Sequence, residues 1–287
     1  MKIFFNLKQL WISRLTLVVL VLIIHLPFLD QAYHIDDRIY LEVAKNIFEK
    51  PLYPYDFEAL YEGFIAPDAA SHSHLPFTAY YLSIVQLVSG LESEWVNHLA
   101  FLLFPLLATL AFYELARMLL SFPFAAAALL ATSTSFLTLS NTLMPEVPML
   151  AVWILALVSG HHFLTNRKGR FSWPLCMASL LASSFMSLLT LFILLLLAAD
   201  WYFQRREKIW KDEQLPRILL LFLAPFLLWF LWYIRAYFYY DRFVLINTFL
   251  HIGQRDPLSL VSLAEKLTSF GLHLGGTFVI PLAGWIV

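Results

Sequence analysis

Runs of about twenty apolar residues recur along this chain and constrain its fold more than any other feature. A helix that crosses a hydrocarbon core about 30 Å thick needs roughly 20 mostly apolar residues. Hydrophobic residues make up 60% of the sequence and charged residues only 14%, whereas soluble domains carry about 25% charged residues. This composition excludes an ordinary soluble domain, and a net charge of -1 gives no general attraction to nucleic acid. The sequence predicts an all-α polytopic membrane protein.

The apolar runs predict a single transmembrane domain over residues 1–287, with seven complete spans and an incomplete eighth. Span 1 covers residues 10–29, spans 2 to 7 fall within residues 99–240, and the last covers residues 270–287. The run Phe171–Phe203 is too long for one span. We divide it into two helices at the serine cluster of residues 183–187.

The basic residues predict the orientation, because short loops rich in Lys and Arg face the cytoplasm. Two loops qualify, one with Arg167, Lys168 and Arg170 and the other between residues 205 and 217. Together they predict a cytoplasmic N-terminus and place residues 30–96 outside. The assignment requires that the apolar stretch Pro76–Gly90 does not span, and at about 22 Å as a helix it is short for the hydrocarbon core.

The first external loop, residues 30–96, is the long polar stretch of the chain, with eleven acidic and three basic residues. Its apolar spacing predicts two helices, residues 37–49 and 76–90, lying along the outer membrane surface. The apolar side of the first should face the acyl chains. A second external loop is predicted over residues 241–268.

Asp36 and Asp37 open the first surface helix, where unpaired N–H groups and the helix dipole stabilise a carboxylate. Nearby hydrocarbon raises a carboxyl pKa, so such a group can accept a proton from an attacking hydroxyl. The alternative is that Asp36 only caps the helix. Glu146, in the turn Met144–Pro148 on the same outer side, is a second candidate. Its alternative is an exposed turn residue that caps the next helix.

Two further clusters are open to more than one interpretation. Basic residues in and before the last external loop suit phosphate oxygens, although the tyrosines among them are also typical of an interfacial aromatic belt. These basic residues are Arg235, Arg242 and Arg255. Several side chains of the first loop have the composition of a metal site, but their spacing is equally that of solvated loop histidines. They are His34, Asp36, Asp37, His72 and His74.

Four short motifs resemble those of the GT-C membrane glycosyltransferases. Residues 34–44 resemble the "D-E-x-x-Y-x-x-x-A" start of the first external loop, and residues 74–77 resemble "H-P-P-L". Residues 144–146 resemble the "L-P-D" turn after the third span, and Trp232-Tyr233 resembles "P-W-Y" near the end of the seventh. The nearest families are the bacterial polyprenyl-phosphate-sugar transferases, including lipid A aminoarabinose transferases and protein O-mannosyltransferases.

The resemblance implies an inverting glycosyltransferase of the bacterial inner membrane, with Asp36 as its catalytic base. The donor would be a polyprenyl-phosphate-linked sugar, the acceptor a lipid, a glycan or a protein, and neither a metal nor another cofactor would be needed. Substrate contacts are expected from the remaining candidates of the motifs and the last loop, beside the surrounding membrane lipids. These are Asp37, His74, Glu146, Arg235, Arg242 and Arg255.

The sequence also departs from the family pattern. Asp37 replaces Glu, Leu75 replaces the first Pro of "H-P-P-L", and an arginine usual before "L-P-D" is missing at Ser140-Asn141. Two other classes therefore stay open, a transporter or flippase for a lipid-linked substrate and a non-catalytic assembly partner. The enzyme hypothesis predicts that Asp36, Glu146 and an arginine of the last loop line one cavity.

The predicted orientation can be checked by cysteine labelling, because Cys176 is the single cysteine of the chain. In a Cys176→Ser background, Asp36→Cys should react with a membrane-impermeant maleimide added outside intact cells. Lys168→Cys should react only after permeabilisation, since its loop is predicted to be cytoplasmic. The opposite pattern would contradict the orientation.

Overall fold

The fold is that of a helical bundle, as expected, with one small β-hairpin. A computed structural model describes residues 7–34, 36–61, 64–66, 75–89, 93–165, 171–205 and 214–240. The helices are α1 (Leu7–His25), α2 (Asp37–Glu49), α3 (Phe77–Ser89), α4 (Glu94–Phe101), α5 (Leu103–Leu119), α6 (Pro123–Thr132), α7 (Thr134–Ser140), α8 (Glu146–Thr165), α9 (Ser172–Ser184), α10 (Thr190–Arg205) and α11 (Leu215–Tyr240). A 3-10 turn, Leu26–Phe28, continues α1.

The hairpin was not expected from the sequence. Strands β1 (Ala59–Tyr61) and β2 (Phe64–Ala66) pair antiparallel, with Leu60 opposite Ile65. They lie within the first long loop, between α2 and α3. The all-α prediction therefore needs this one correction.

Four stretches of the described chain are long and apolar enough to cross a bilayer, which makes the protein a multi-pass membrane protein. They are Leu7–Phe28, Glu94–Leu119, Glu146–Thr165 and Leu215–Tyr239. The pair α6 and α7 is a fifth if it is taken as one bent span. The division of Phe171–Phe203 at its serines is confirmed, because α9 ends at Ser184 and α10 begins at Thr190.

The full count of seven spans stays a prediction. Helices α9 and α10 have 13 and 16 residues, and each is shorter than the roughly 20 residues that a perpendicular crossing needs. The predicted eighth span, residues 270–287, lies outside the described residues.

The third predicted span is bent rather than continuous. Helices α6 and α7 meet at an angle of 58°, and Ser133 between them has extended backbone angles. Its hydroxyl donates to the Leu130 carbonyl at 3.0 Å, and the Thr132 hydroxyl donates to the Ala128 carbonyl at 2.9 Å. Hydroxyl side chains that bond nearby carbonyls compete with the helical ladder and bend helices, which explains the break within Thr132-Ser133-Thr134.

Helix α1 runs between two ends of the bundle. Arg14 in α1 contacts Glu114 near the end of α5 at 2.7 Å, so these two helices are antiparallel, and we call this the Arg14 end. At the other end of α1, the His25 ring bonds the Asn141 side chain at 2.9 Å, just beyond α7. The start of α2 lies at this second end, which we call the Asp36 end.

Helix α2 has the predicted bounds, but its apolar face does not point to acyl chains. Tyr40, Val43 and Ala44 are buried in a hydrophobic cluster that also contains Phe104 of α5 and Ala151 of α8. The amphipathic pattern correctly gave the helix and the buried face. The prediction that this face contacts acyl chains was wrong, because the apolar face of α2 packs on the bundle itself.

Helix α3 presents its two faces in the opposite way. Its polar residues Thr78 and Gln86 are buried, whereas Ile84, Leu87 and Val88 are 59%, 69% and 82% exposed. Residues of this kind are costly to leave in water. The pattern is typical of a helix whose outer face contacts lipid, and it leaves the polar face toward the protein.

A charged cluster joins α1 to α5 at the Arg14 end. Glu114 accepts from Arg14 at 2.7 Å through one oxygen and from Arg117 at 2.6 Å through the other. Glu114 is one-quarter exposed, so its two contacts are better shielded from water than those of a surface pair. One carboxylate thus neutralises two cations.

Replacing Glu114 should therefore destabilise the fold. We expect Glu114→Gln to lower the free energy of unfolding by about 1–2 kcal/mol, because two charge-assisted hydrogen bonds weaken and two cations lose their counter-charge. Glu42→Gln is the matched control, since the exposed i,i+4 pair of Glu42 with Arg38 should contribute about 0.3–0.5 kcal/mol. Thermal unfolding in detergent measures both, and equal losses would contradict the prediction.

Candidate active site

Asp37 is buried and connects two segments of the Asp36 end. Its side chain is 0% exposed. One carboxylate oxygen accepts the Leu143 backbone N–H at 2.8 Å and the other accepts the His34 backbone N–H at 2.9 Å. We call this pair of hydrogen bonds the Asp37 bridge, because it joins the start of α2 to the turn before α8.

Burial raises the pKa of Asp37, and the two N–H donors and the nearby His98 and His34 oppose that shift only in part. The sequence predicted a substrate contact for this residue. In the structure both carboxylate oxygens accept backbone N–H groups and the side chain has no exposed surface.

Asp36 points outward from the same turn. It is the residue before α2, yet its side chain makes no capping hydrogen bond to the helix, so the alternative that it serves as a cap is wrong. Its side chain is 31% exposed and lies 3.9 Å from Nδ1 of His34. The backbone N–H of Asp36 donates to the same nitrogen at 3.4 Å. The carboxylate is therefore accessible and has an imidazole beside it.

Glu146 is the first residue of α8 and lies three residues beyond Leu143. Its Oε2 atom is buried and has no hydrogen-bond partner within the part of the chain that the structure describes. A buried carboxylate oxygen without a partner is costly, so it marks a place for a donor from a ligand or water. The Asp37 bridge brings this turn and Asp36 to the same end of the bundle.

Arg235 supplies a cation at the end of α11. Its guanidinium lies 4.7 Å from the centre of the Tyr53 ring and 5.1 Å from that of Trp232. Its Nη2 atom is buried without a hydrogen-bond partner among the described residues. Tyr53 also stacks on Tyr239 at 3.6 Å. These contacts hold the loop after α2 against α11, and nothing in the sequence pairs residues so far apart.

Aromatic rings connect Arg235 with α3 and the α9–α10 break. The Trp232 ring is 5.2 Å from Phe185, which is 5.9 Å from Tyr80 of α3. The Phe185 carbonyl also accepts the N–H of Phe77 at the start of α3. Helix α11 thus places a partly buried guanidinium and an aromatic wall beside α3 and the loop after α2, an arrangement that can hold a polar headgroup beside an apolar chain.

Several predicted site residues cannot be placed. His74, Arg242 and Arg255 lie outside the described residues, as do His72 and the loop 241–268. Among the residues described, no three His, Cys, Asp or Glu side chains come together as metal ligands. The prediction that no metal takes part therefore stays a prediction.

The cavity found in the bundle lies away from these residues. It is apolar, sits between α8, α9, α10 and α11 toward the Arg14 end, and is lined by residues that include Leu164, Cys176, Leu197, Ile218 and Phe222. The expected cavity shared by Asp36, Glu146 and an arginine of the last loop stays a prediction, because that loop is outside the described residues.

Several helices long and apolar enough to cross a bilayer define an integral membrane protein, and Asp36, Asp37 and Glu146 lie in two segments that the Asp37 bridge joins at one of its ends. Residues 71–232, more than half of the chain, match the dolichyl-phosphate-mannose-protein mannosyltransferase family. The chain belongs to this family and is a membrane glycosyltransferase of the GT-C type. No curated protein and no solved structure matches it. The matched range contains Glu146 and Trp232 but begins after Asp36.

The raised pKa of Asp37 predicts a pH dependence of stability. Its contribution to folding is complete below the ordinary carboxyl pKa of 3.8 and is lost as the pH rises through the raised value of the folded state. Asp37→Asn cannot ionise. The unfolding midpoint of the wild type minus that of Asp37→Asn should therefore be largest in acid and shrink as the pH increases.

Thermal unfolding in detergent at a series of pH values above 3.8 measures this difference. Asp30→Asn, at an exposed aspartate of the same loop, is the matched control for the change of charge itself. A difference for Asp37→Asn that grows with increasing pH would show that burial does not dominate at this carboxyl.

Proposed function

We propose that this glycosyltransferase uses a polyprenyl-phosphate-linked sugar as donor and a lipid, glycan or protein as acceptor. The reaction takes place at the extracytoplasmic face of a bacterial inner membrane, with the N-terminus in the cytoplasm. In this topology α9 and α10 cross separately, which gives seven complete spans and an eighth at residues 270–287. The observation that carries the proposal is the partly exposed Asp36 carboxylate, in a segment that the Asp37 bridge joins to the turn before Glu146.

Asp36 acts as the general base of an inverting displacement. Its carboxylate accepts the proton of the acceptor hydroxyl while that oxygen attacks the anomeric carbon, and the bond from this carbon to the polyprenyl phosphate oxygen breaks. A positioned base contributes about 10²- to 10⁴-fold to such a reaction. The His34 ring lies beside this carboxylate, with Nδ1 at 3.9 Å.

Arg235 holds the phosphate leaving group. An arginine fork binds phosphate oxygens through charge-assisted hydrogen bonds, and its unpaired Nη2 offers such a donor. A fixed cation also stabilises the negative charge that develops on the departing phosphate. Arg242 and Arg255 are proposed to add to this charge. The apolar surroundings of α11 suit the polyprenyl chain.

Glu146 and His74 are proposed to contact the sugar or the acceptor. The unpaired Oε2 of Glu146 can accept a hydrogen bond from a hydroxyl group, which sugars supply in number. The assignment of His74 rests on the motif resemblance alone. No metal ion enters the proposed reaction.

The two other classes receive less support. Transporters of lipid-linked substrates place charges near the midplane of broken, repeated helices, whereas the candidate acids Asp36, Asp37 and Glu146 lie in two segments that meet at the Asp36 end. A non-catalytic assembly partner has no need of Asp36 and Glu146 at one end, and the Asp37 bridge brings their segments together there.

The test replaces the proposed base. Asp36→Asn should lower sugar transfer by roughly 10²- to 10⁴-fold while the protein still inserts and folds. Asp30→Asn, the matched control from the same loop, should transfer at the wild-type rate. Membranes containing each variant are incubated with a panel of radiolabelled polyprenyl-phosphate sugars, which also identifies the donor. Wild-type transfer by Asp36→Asn would remove this residue from the mechanism.

A further inference from the structure

The complete burial of the Asp37 carboxyl group is not explained by a role in substrate binding. Removing a carboxylate from water is expensive unless hydrogen bonds replace its hydration. Asp37 is wholly buried, and both of its carboxylate oxygens accept hydrogen bonds from backbone N–H groups of the protein. It cannot touch a substrate from this position, so its effect must reach the reaction through other residues.

We propose that Asp37 is the positioning residue of the active site, fixing the Asp36 carboxylate relative to Glu146. This inference rests on the proposed function, in which Asp36 is the base. Asp37 acts on Asp36 through the backbone they share, and its bond to Leu143 anchors that backbone to the turn that leads to Glu146.

The first arm of the Asp37 bridge closes a tight loop around Asp36. The backbone N–H of Asp37 donates to the His34 carbonyl at 3.0 Å, and the Asp37 side chain accepts the His34 N–H at 2.9 Å. Asp36 therefore lies inside a loop that is tied at its base by two hydrogen bonds. This loop therefore fixes the backbone from which the Asp36 side chain extends.

The second arm anchors that loop in the hydrophobic core. Leu143 is 0% exposed and packs in the same buried cluster as Tyr40 and Val43 of α2 and Val147 of α8. Packed interiors deform little, so a hydrogen bond to Leu143 fixes the start of α2 against the first turn of α8. Glu146 belongs to that first turn. The Asp36 and Glu146 side chains therefore extend from backbone segments that are fixed to each other.

The proposal predicts a defect in turnover rather than in binding. Displacing a catalytic group by about 1 Å costs about 10²-fold in rate. Asp37→Asn places an amide NH₂ against a backbone N–H, and Asp37→Glu keeps the charge but moves it by one methylene group. Both variants should lower kcat by roughly 10- to 100-fold with KM changed by less than about 3-fold.

Glu114→Gln separates this effect from general instability. It weakens the charged cluster at the Arg14 end, away from the site, and should leave kcat per folded molecule unchanged. Unfolding midpoints of all variants are recorded in the same detergent, so each rate is compared at known stability. A loss of kcat in Glu114→Gln as large as that in Asp37→Asn would overturn the positioning role.

The decisive measurement is a double-mutant cycle with Asp36→Asn. If Asp37 acts through Asp36, adding Asp37→Asn to Asp36→Asn should cost no further activity. Losses that multiply would show that Asp37 acts independently, and an increase in KM alone would show a binding role; either result refutes the inference. Wild-type transfer by Asp36→Asn alone would instead refute the proposed function, so the two failures are distinct.

Discussion

The hydrogen bond from the Leu143 N–H to the Asp37 carboxylate is the contact on which the arrangement of the Asp36 end depends. It joins the start of α2 to the bundle at a point that is closed to water. It adds a directional contact to the apolar packing of α2, which is non-directional. A directional bond in a buried place gives a helix of 13 residues a defined register on the spans beneath it.

The sequence predicted the elements of the fold far better than their surroundings. Hydrophobic spacing predicted both ends of α2 to the residue. The length of the apolar run and its serines predicted the break between α9 and α10. Both signals are local in the sequence. The spacing did not predict whether the apolar face of a given helix packs on protein or faces outward. The apolar side of α2 packs on protein, whereas Ile84, Leu87 and Val88 of α3 are exposed, although the two patterns look alike. The deciding factor is tertiary packing, which no single-segment periodicity contains.

In the candidate site too, the sequence predicted which residues matter but not what each of them contacts. The pair Asp36-Asp37 and Glu146 could be selected from the sequence because acids are rare in an apolar chain and cluster by side. Their roles could not, since two adjacent aspartates have identical chemistry until one is buried. The contacts of Arg235 with Tyr53 also left no trace in the sequence, because they join distant segments through ring faces rather than through opposite charges.

The outward apolar residues of α3 give the segment that contains α2 and α3 a direct mechanical link to the bilayer. Acyl chains that cover Ile84, Leu87 and Val88 press on a helix that packs against α2. Lateral pressure and chain order in the surrounding leaflet are thereby transmitted to the segment that carries the proposed base. The lipid around this protein is consequently a mechanical component of its active site as well as its solvent.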